Sequence, residues 1–258
     1  MAPFEQSTCN TDSVVLACRD LQKSFVSRGR KIDVLNGVNL TVKAGEIVVI
    51  CGKSGAGKST CLQILAGLDR PSAGSVTLDG ISIESLSNSK LARMRREHMG
   101  IIFQHSNLLP SWTAIENVEA VLYHQCLARK MRRERAMTLL CNLGLSDRWK
   151  HLPSELSAGE QQRVAIARAL INNPRIIFAD EPTGDVDPQT AGEIVELLAK
   201  SVRTRGACLV IVTHGTFPRG VADHWLTLAD GVLSDLAKER NGKKDPLFSV
   251  HTHILPKK

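Results

Sequence analysis

Residues 47–60 have the sequence IVVICGKSGAGKST, and this stretch decides the fold. Its first five residues are apolar and mostly β-branched, which is typical of a buried parallel strand. A helix-forming run from Lys58 to Ala66 follows, and Gly67 is a natural residue to end it. Between strand and helix lies the pattern G-x-x-x-x-G-K-[ST], in the context that this pattern requires. A chance match would lack that context, so the sequence predicts a phosphate-binding loop.

The residue types of the loop suit an oxyanion ligand. Glycines allow backbone N–H groups to curl around phosphate oxygens, and the start of the following helix adds partial positive charge. We expect Lys58 to reach the β- and γ-phosphates of a nucleotide and the Ser59 hydroxyl to bind Mg²⁺. The predicted nucleotide-binding residues of this segment are Gly52, Lys53, Ser54, Gly55, Ala56, Gly57, Lys58, Ser59 and Thr60.

A second apolar run, residues 175–180 with the sequence RIIFAD, ends in the acidic pair Asp180 and Glu181. The carboxyl ends of strands are where α/β folds place ligands. Asp180 would hold Mg²⁺, which prefers oxygen ligands, and Glu181 would polarise a water that attacks the γ-phosphate. Alone, two acids after a strand more often begin a loop or cap a helix. Beside a phosphate loop, the catalytic interpretation is favoured.

Strands and helices alternate along the chain, which predicts an α/β fold with a mostly parallel sheet. The predicted strands are 14–19, 34–42, 47–51, 100–103, 175–180 and 208–213, with a turn at 27–30. The predicted helices are 58–66, 157–170 and 188–203. Residues after Phe103 are rich in helix formers and lack strand patterns, so about 88–156 is predicted to be an inserted helical subdomain. The main domain is expected over 14–237, between a flexible N-terminus (1–13) and a basic tail (238–258).

The composition is that of an ordinary globular chain of 258 residues, 43% hydrophobic and 23% charged. The net charge of +7 suits anionic partners, although a modest basic excess more often marks a solvated surface. No run approaches the ~20 apolar residues that cross a bilayer, and the N-terminus lacks a secretory pattern. Seven cysteines without CxxC spacing indicate reduced thiols in the cytoplasm. Cys51 and Cys61 flank the phosphate loop, so we expect a bulky thiol reagent to slow activity and a bound nucleotide to protect against it.

Three long stretches carry a family resemblance: MGIIFQHSNLLPSWTAIENV (99–118), LSAGEQQRVAIARAL (156–170) and ADEPTGDVD (179–187). Over nearly all of 14–237 the chain resembles the ATP-binding subunits of ABC transporters, and most of all the subgroup serving lipoprotein release, macrolide export and the cell-division ABC complex. The resemblance implies a P-loop NTPase core with an antiparallel β subdomain and a helical subdomain. It also implies ATP and Mg²⁺ as cofactors and ATP hydrolysis as the activity, with Glu181, His214 and Lys58 as catalytic residues.

The resemblance assigns further roles by position. Gln104 matches the glutamine that reports on Mg²⁺ and the γ-phosphate, and His214 matches the switch histidine that contacts this phosphate. Asp187 matches an aspartate that crosses the dimer interface. Phe25 falls where the family stacks an aromatic ring on adenine, although a lone Phe in a strand is usually a core residue.

The family signature corresponds to Leu156 followed by Ser157, Ala158, Gly159 and Glu160. Ser157 and Glu160 also have the spacing of a capping box, which would open the helix that follows. In the family, this capped end closes over the nucleotide of the other protomer, which implies a head-to-tail dimer with an identical or related subunit. The usual signature has glycine where this chain has Ala158. Alanine suits the first helical position, but its methyl group could crowd the partner's phosphate.

Three functions follow as hypotheses. The first is a transport ATPase on the inner, cytoplasmic face of the cell membrane that drives a separate integral membrane permease, with lipophilic or envelope cargo exported or extracted. The second, a soluble ABC protein acting on nucleic acid, is disfavoured because the chain has one cassette and no long coiled coil. The third is an ATP-dependent clamp that does not hydrolyse ATP, motivated by Ala158. Basic clusters at 93–96 and 130–135 are expected to be solvated or to contact acidic lipids.

Overall fold

A computed structural model describes residues 13–214, 218 and 220–235. The predicted basic tail (238–258) and the predicted N-terminal segment, apart from Ser13, therefore lie outside the described residues. In the described part, the strands form two sheets, one of six strands and one of four. No helix in this part is long and apolar enough to cross a membrane.

The larger sheet has the order β10-β9-β3-β8-β7-β6. All neighbouring pairs are parallel except β10 with β9, which confirms the predicted mostly parallel sheet. Its strands are β3 (Ile47–Cys51), β6 (Met99–Ile102), β7 (Ile176–Asp180), β8 (Cys208–Thr213), β9 (His224–Ala229) and β10 (Val232–Asp235). Every residue of β3 and β8 is buried, which explains their continuous apolar sequence.

The smaller sheet is antiparallel, with the order β2-β1-β4-β5. Its strands are β1 (Val14–Ser27), β2 (Arg30–Lys43), β4 (Ala73–Leu78) and β5 (Ile81–Ser82). The prediction that the first strand ends at Arg19 is wrong. Asp20 has a positive φ of 47° at a break in the strand register, and β1 resumes beyond this irregularity because β2 continues to pair with it.

Six α-helices surround the sheets in the described residues: α1 (Lys58–Leu65), α2 (Asn88–His98), α3 (Ala114–Glu119), α4 (Arg129–Asn142), α5 (Ala158–Leu170) and α6 (Pro188–Arg205). Gly67 follows α1 with a φ of 62°, as its predicted role at the helix end requires. Helix α6 extends two residues beyond the prediction, to Arg205, and Gly206 caps it with a φ of 64°. The predicted range 88–156 includes β6, which lies in the six-stranded sheet.

The core has two parts, one on each face of the six-stranded sheet. Ile47, Val49 and Cys51 point to a cluster built with α3–α6, whereas Val48 and Ile50 point to a cluster built with α1 and the smaller sheet. Helices and the smaller sheet cover both faces, and α/β folds of this kind bind ligands at the carboxyl ends of the parallel strands. The phosphate loop, the acidic pair and His214 all follow strands at that edge.

Candidate nucleotide-binding site

The loop between β3 and α1 depends on its glycines for two different reasons. At Gly57, φ is 90°, and a Cβ atom would lie 2.8 Å from Val34 Cγ1. At Gly52, a Cβ atom would lie 2.5 Å from the backbone oxygen of Leu228. The loop is thus packed between β2 and β9, and a side chain at either position would push it out of place. Its backbone path is fixed by the rest of the fold.

Lys58 begins α1 and is almost fully buried, with 6% of its surface exposed. Its Nζ donates hydrogen bonds to the backbone oxygens of Gly52 and Lys53, both at 3.0 Å. A buried ammonium needs such partners because leaving water is costly. These bonds hold the charge at the loop itself, where the predicted phosphate contact requires it.

Ser59 and Asp180 lie together although 121 residues separate them. The Ser59 hydroxyl donates to Asp180 Oδ1 at 3.1 Å. Burial raises the pKa of the Asp180 carboxyl, while the Ser59 hydrogen bond and, more weakly, Lys58 oppose that shift; the Glu181 charge adds to it. A cation at this position would restore the preference for the carboxylate.

Glu181 has an unusual backbone conformation, with a positive φ of 45°. Its N–H donates to the oxygen of Val212, and its own oxygen accepts from the N–H of Gly184. These bonds hold the side chain, which is 13% exposed, in contact with His214, whose Nδ1 pairs with Glu181 Oε2. Strained backbone of this kind concentrates at functional sites. The structure therefore brings the two predicted catalytic side chains into one pair.

The segment that follows β6 lies beside the segment that follows β7. Gln104 is exposed, and its Nε2 would lie 3.4 Å from a Cβ atom at Gly184. The next residue, His105, places Nδ1 at 2.9 Å from Asp185 Oδ2. Gln104 is thus close to the Glu181 turn, as its predicted role needs. The His105–Asp185 pair was not predicted: both residues lie in stretches that carry the family resemblance, but neither was assigned a role.

Phe25 lies on β1 and is 42% exposed, so it is not a core residue. The Nζ of Lys23 lies 4.9 Å from the centroid of its ring. This exposure removes the alternative interpretation of Phe25. Its stacking on adenine remains a prediction.

The predicted capping box at the start of α5 is confirmed. Ser157 Oγ accepts from the N–H of Glu160 at 3.2 Å, and Glu160 Oε2 accepts from the N–H of Ser157 at 2.8 Å. Ala158 occupies the first helical position, and both Ser157 and Ala158 are exposed. The predicted contact of this end with a partner's nucleotide therefore meets no obstruction from the described part of the chain itself.

Gly159 and Asp187 link the signature to α6. A Cβ atom at Gly159 would lie 2.7 Å from Thr190 Cγ2, so the two helix starts are closely packed. Asp187 caps α6 by accepting from the N–H groups of Gln189 and Thr190, both at 3.1 Å. Hydrogen bonds from Thr190 hold the pKa of Asp187 below its usual value. Sequence reasoning assigned Asp187 to a dimer interface and missed this capping role.

The two cysteines beside the phosphate loop are poorly placed for the expected modification. Cys51 is 5% exposed, and burial raises the pKa of its thiol to about 11. Cys61 is fully buried, and burial raises the pKa of its thiol to about 12. Because the thiolate is the reactive form, burial of both thiols argues against ready modification of either cysteine in the folded chain.

Comparisons with known proteins show the family to which this chain belongs. The ABC transporter family matches residues 35–184. The lipoprotein-releasing system ATP-binding protein LolD of Syntrophotalea carbinolica is 44% identical over 222 residues, which cover 86% of this chain and 98% of that protein. The macrolide export ATP-binding/permease protein MacB of Vibrio parahaemolyticus serotype O3:K6 (strain RIMD 2210633) is 43% identical over 92% of this chain. The chain spans only 37% of the length of that relative.

Solved structures show the same architecture. A dimeric structure of MJ0796, a bacterial ABC transporter cassette, is 40% identical with a TM-score of 0.79, covering 86% of this chain and 98% of that one. A dimeric post-hydrolysis state of the same cassette, bound to ADP and Pi, is 39% identical with a TM-score of 0.78 and the same coverage. The fold and site define an ATP-binding ATPase cassette, as the resemblance implied. The chain belongs to the ABC transporter family.

Proposed function

We propose that this chain hydrolyses ATP as a head-to-tail dimer, with an identical or related subunit, and thereby drives a separate integral membrane permease. The observation that carries the proposal is the convergence of three groups at one sheet edge: buried Lys58, the Ser59–Asp180 pair and the Glu181–His214 pair. Each group supplies one requirement of phosphoryl transfer, namely phosphate binding, cation binding and water activation.

The residues fit Mg²⁺. The Ser59 hydroxyl and the Asp180 carboxylate are both hard oxygen donors, they lie 3.1 Å apart, and burial of Asp180 favours a neutralising partner. Gln104, close to the Glu181 turn, would add an amide oxygen. When bound there, Mg²⁺ would neutralise charge on the β- and γ-phosphates.

The chain's own groups account for the remaining chemistry. Lys58 and the N–H groups of residues 52–60 hold the phosphates, with the start of α1 adding its dipole. Glu181 accepts a proton from the attacking water. His214 pairs with this carboxylate, and the histidine itself contacts the γ-phosphate. Phe25 stacks on the adenine ring.

The dimer is supported by the exposure of Ser157 and Ala158, which leaves the capped start of α5 available to the nucleotide of a partner. The MJ0796 cassette is described as dimeric. In this arrangement Ser157, Ala158, Gly159 and Glu160 close the partner's site, and Asp187 lies beside them at the interface.

The names of two relatives support the permease as a partner. LolD is the ATP-binding protein of a lipoprotein-releasing system, and MacB combines an ATP-binding part with a permease in one chain. We assign the present chain to the inner, cytoplasmic face of the cell membrane, with lipophilic or envelope cargo that is exported or extracted. No specific nucleic acid is part of this assignment.

The test compares ATP hydrolysis and ATP-dependent dimerisation of the full chain with three variants. Glu181→Gln is expected to lower the rate about 10²–10⁴-fold, the usual contribution of a general base, and to retain an ATP-bound dimer. Lys58→Ala is expected to lose ATP binding. Glu196→Gln, an exposed residue of α6, is the matched control and should behave as the original chain.

Two results would oppose the proposal in different ways. A Glu181→Gln variant that hydrolyses ATP at the original rate would remove Glu181 as the base. An original chain that binds ATP and dimerises without hydrolysis, both alone and with a permease in lipid, would favour the clamp, for which Ala158 is the motivating residue.

A further inference from the structure

The segment Gln104–Asn107 joins the core sheet to the helical subdomain, and α5 holds it through side chains. Gln162 Oε1 accepts a hydrogen bond from the Ser106 hydroxyl at 2.9 Å. Arg168 donates to the backbone oxygens of Ser106 and Asn107, both at 2.6 Å. These contacts join residues 56 to 62 positions apart. The same helix starts at the signature, so one rigid element touches both functional segments.

Arg168 is used in an uncommon way. Its side chain is half-buried, and the hydrogen bonds of its guanidinium in the described residues go to backbone oxygens. Partial burial of the charged guanidinium costs desolvation free energy, which its hydrogen bonds to two neutral backbone oxygens must offset. A guanidinium presents its donors in a rigid fork, so two consecutive oxygens set both the position and the direction of this segment.

The backbone here is not relaxed. Asn107 has a positive φ of 47°, a conformation that Asn tolerates better than most residues but that still has a cost. Its oxygen is one of the two bound by Arg168. The strained residue is therefore held by the same side chain that fixes the segment.

Gln162 is also retained at a cost. It is 3% exposed, and its Nε2 has no hydrogen-bond partner among the described residues. A buried amide that satisfies only one of its two ends is less favourable for stability than an apolar side chain of similar size. This pattern indicates that Gln162 is used for its contact with Ser106 rather than for packing.

We infer that Gln162 and Arg168 are positioning residues that tie the Gln104 segment to the signature helix. The inference rests on the proposed function. In the proposed dimer, these contacts would couple the position of Gln104 at the chain's own nucleotide to the position of Ser157 at the partner's nucleotide. Through α5, a movement of Gln104 toward bound nucleotide displaces the capped end that serves the partner. Gln162 and Arg168 touch neither nucleotide and act only through these two segments.

The test uses steady-state ATP hydrolysis and thermal unfolding of the full chain. Gln162→Leu removes the hydrogen bond and the unpartnered Nε2, and Arg168→Lys keeps the charge but loses the fork. We expect kcat to fall about 5- to 100-fold, as misplacement of a catalytic group does, with KM for ATP within about twofold and the unfolding temperature of Gln162→Leu no lower than the original. The control Gln125→Leu removes a comparable hydrogen bond, 3.0 Å to Asn172, away from this segment, and should leave kcat unchanged.

A double-mutant cycle with Gln104→Ala separates positioning from a general effect on folding. If Gln162 acts through Gln104, adding Gln162→Leu to Gln104→Ala lowers kcat by much less than it does alone. Equal effects in both backgrounds, an unchanged kcat in Gln162→Leu and Arg168→Lys, or parallel losses of kcat and stability would overturn the inference. Absence of hydrolysis in the original chain would overturn the proposed function itself, which is a different result from an active chain with unaffected variants.

Discussion

The close approach of α5 and α6 makes Gly159 a stringent position. In Gly159→Ala the new methyl would lie 2.7 Å from Thr190 Cγ2, well inside normal van der Waals contact. Overpacking of this kind costs about 1–3 kcal/mol, and the better helix propensity of alanine returns up to about 1 kcal/mol. We expect a net loss of about 1–2 kcal/mol. In a domain of this size that corresponds to a fall of about 2–8 °C in the unfolding temperature.

The assay is thermal unfolding of the full chain without nucleotide, followed by circular dichroism. Thr190→Ser removes only Cγ2 and keeps the hydroxyl that hydrogen-bonds to Asp187, so Gly159→Ala combined with Thr190→Ser should recover most of the loss. Gly192→Ala is the matched control on α6. A methyl there meets nothing within 4 Å, so this variant should be more stable by about 0.5–1 kcal/mol. If Gly159→Ala unfolds at the original temperature, or Thr190→Ser rescues nothing, the packing argument is wrong.

Three further predictions follow from exposure and charge. Hydrogen bonds from Ser157 hold the pKa of Glu160 below its usual 4.5, so its stabilisation is present above about pH 4.5 and lost as the pH falls below that value. Urea unfolding at pH 6.5 and 3.5 should show that the difference in the free energy of unfolding between the original chain and Glu160→Gln becomes smaller at the lower pH. The same difference at both pH values would contradict this. A bulky thiol reagent should label exposed Cys126 before buried Cys51, without loss of ATPase activity, as mass spectrometry can check. Phe25→Ala should raise KM for ATP without the loss of ~3–5 kcal/mol in the free energy of unfolding that truncation of a core Phe causes. A loss of that size would show that Phe25 acts as a core residue.

Sequence patterns predicted the parts of the fold that are locally encoded. The strand before Gly52 and the helix after Gly57 were predicted correctly because the apolar run, the glycine spacing and the helix formers all lie within the 20 residues from 47 to 66. The continuation of β1 beyond Asp20 was missed for the opposite reason. Its residues alternate poorly, and pairing with β2 overrides that local preference.

The same distinction applies to the site. The Ser157–Glu160 capping box spans four residues, and the sequence predicted it correctly. The Ser59–Asp180 pair was foreseen only because both positions match known motifs at strand ends. Gln162 and Arg168 lie inside a helix whose spacing indicates ordinary packing, and their partners are 56 or more residues away. No local pattern reports such contacts, so only the folded chain reveals them.

The departure from the family signature at Ala158 also becomes clearer from its neighbour. Gly159 is buried, and its missing side chain is required by Thr190 of the same chain. Ala158 is exposed at the first helical position, where alanine is favourable and the capping box is intact. The packing of this chain therefore requires glycine at position 159 but does not require it at position 158. Any effect of the Ala158 methyl must fall on what approaches this surface from outside, which in the proposed dimer is the partner's γ-phosphate.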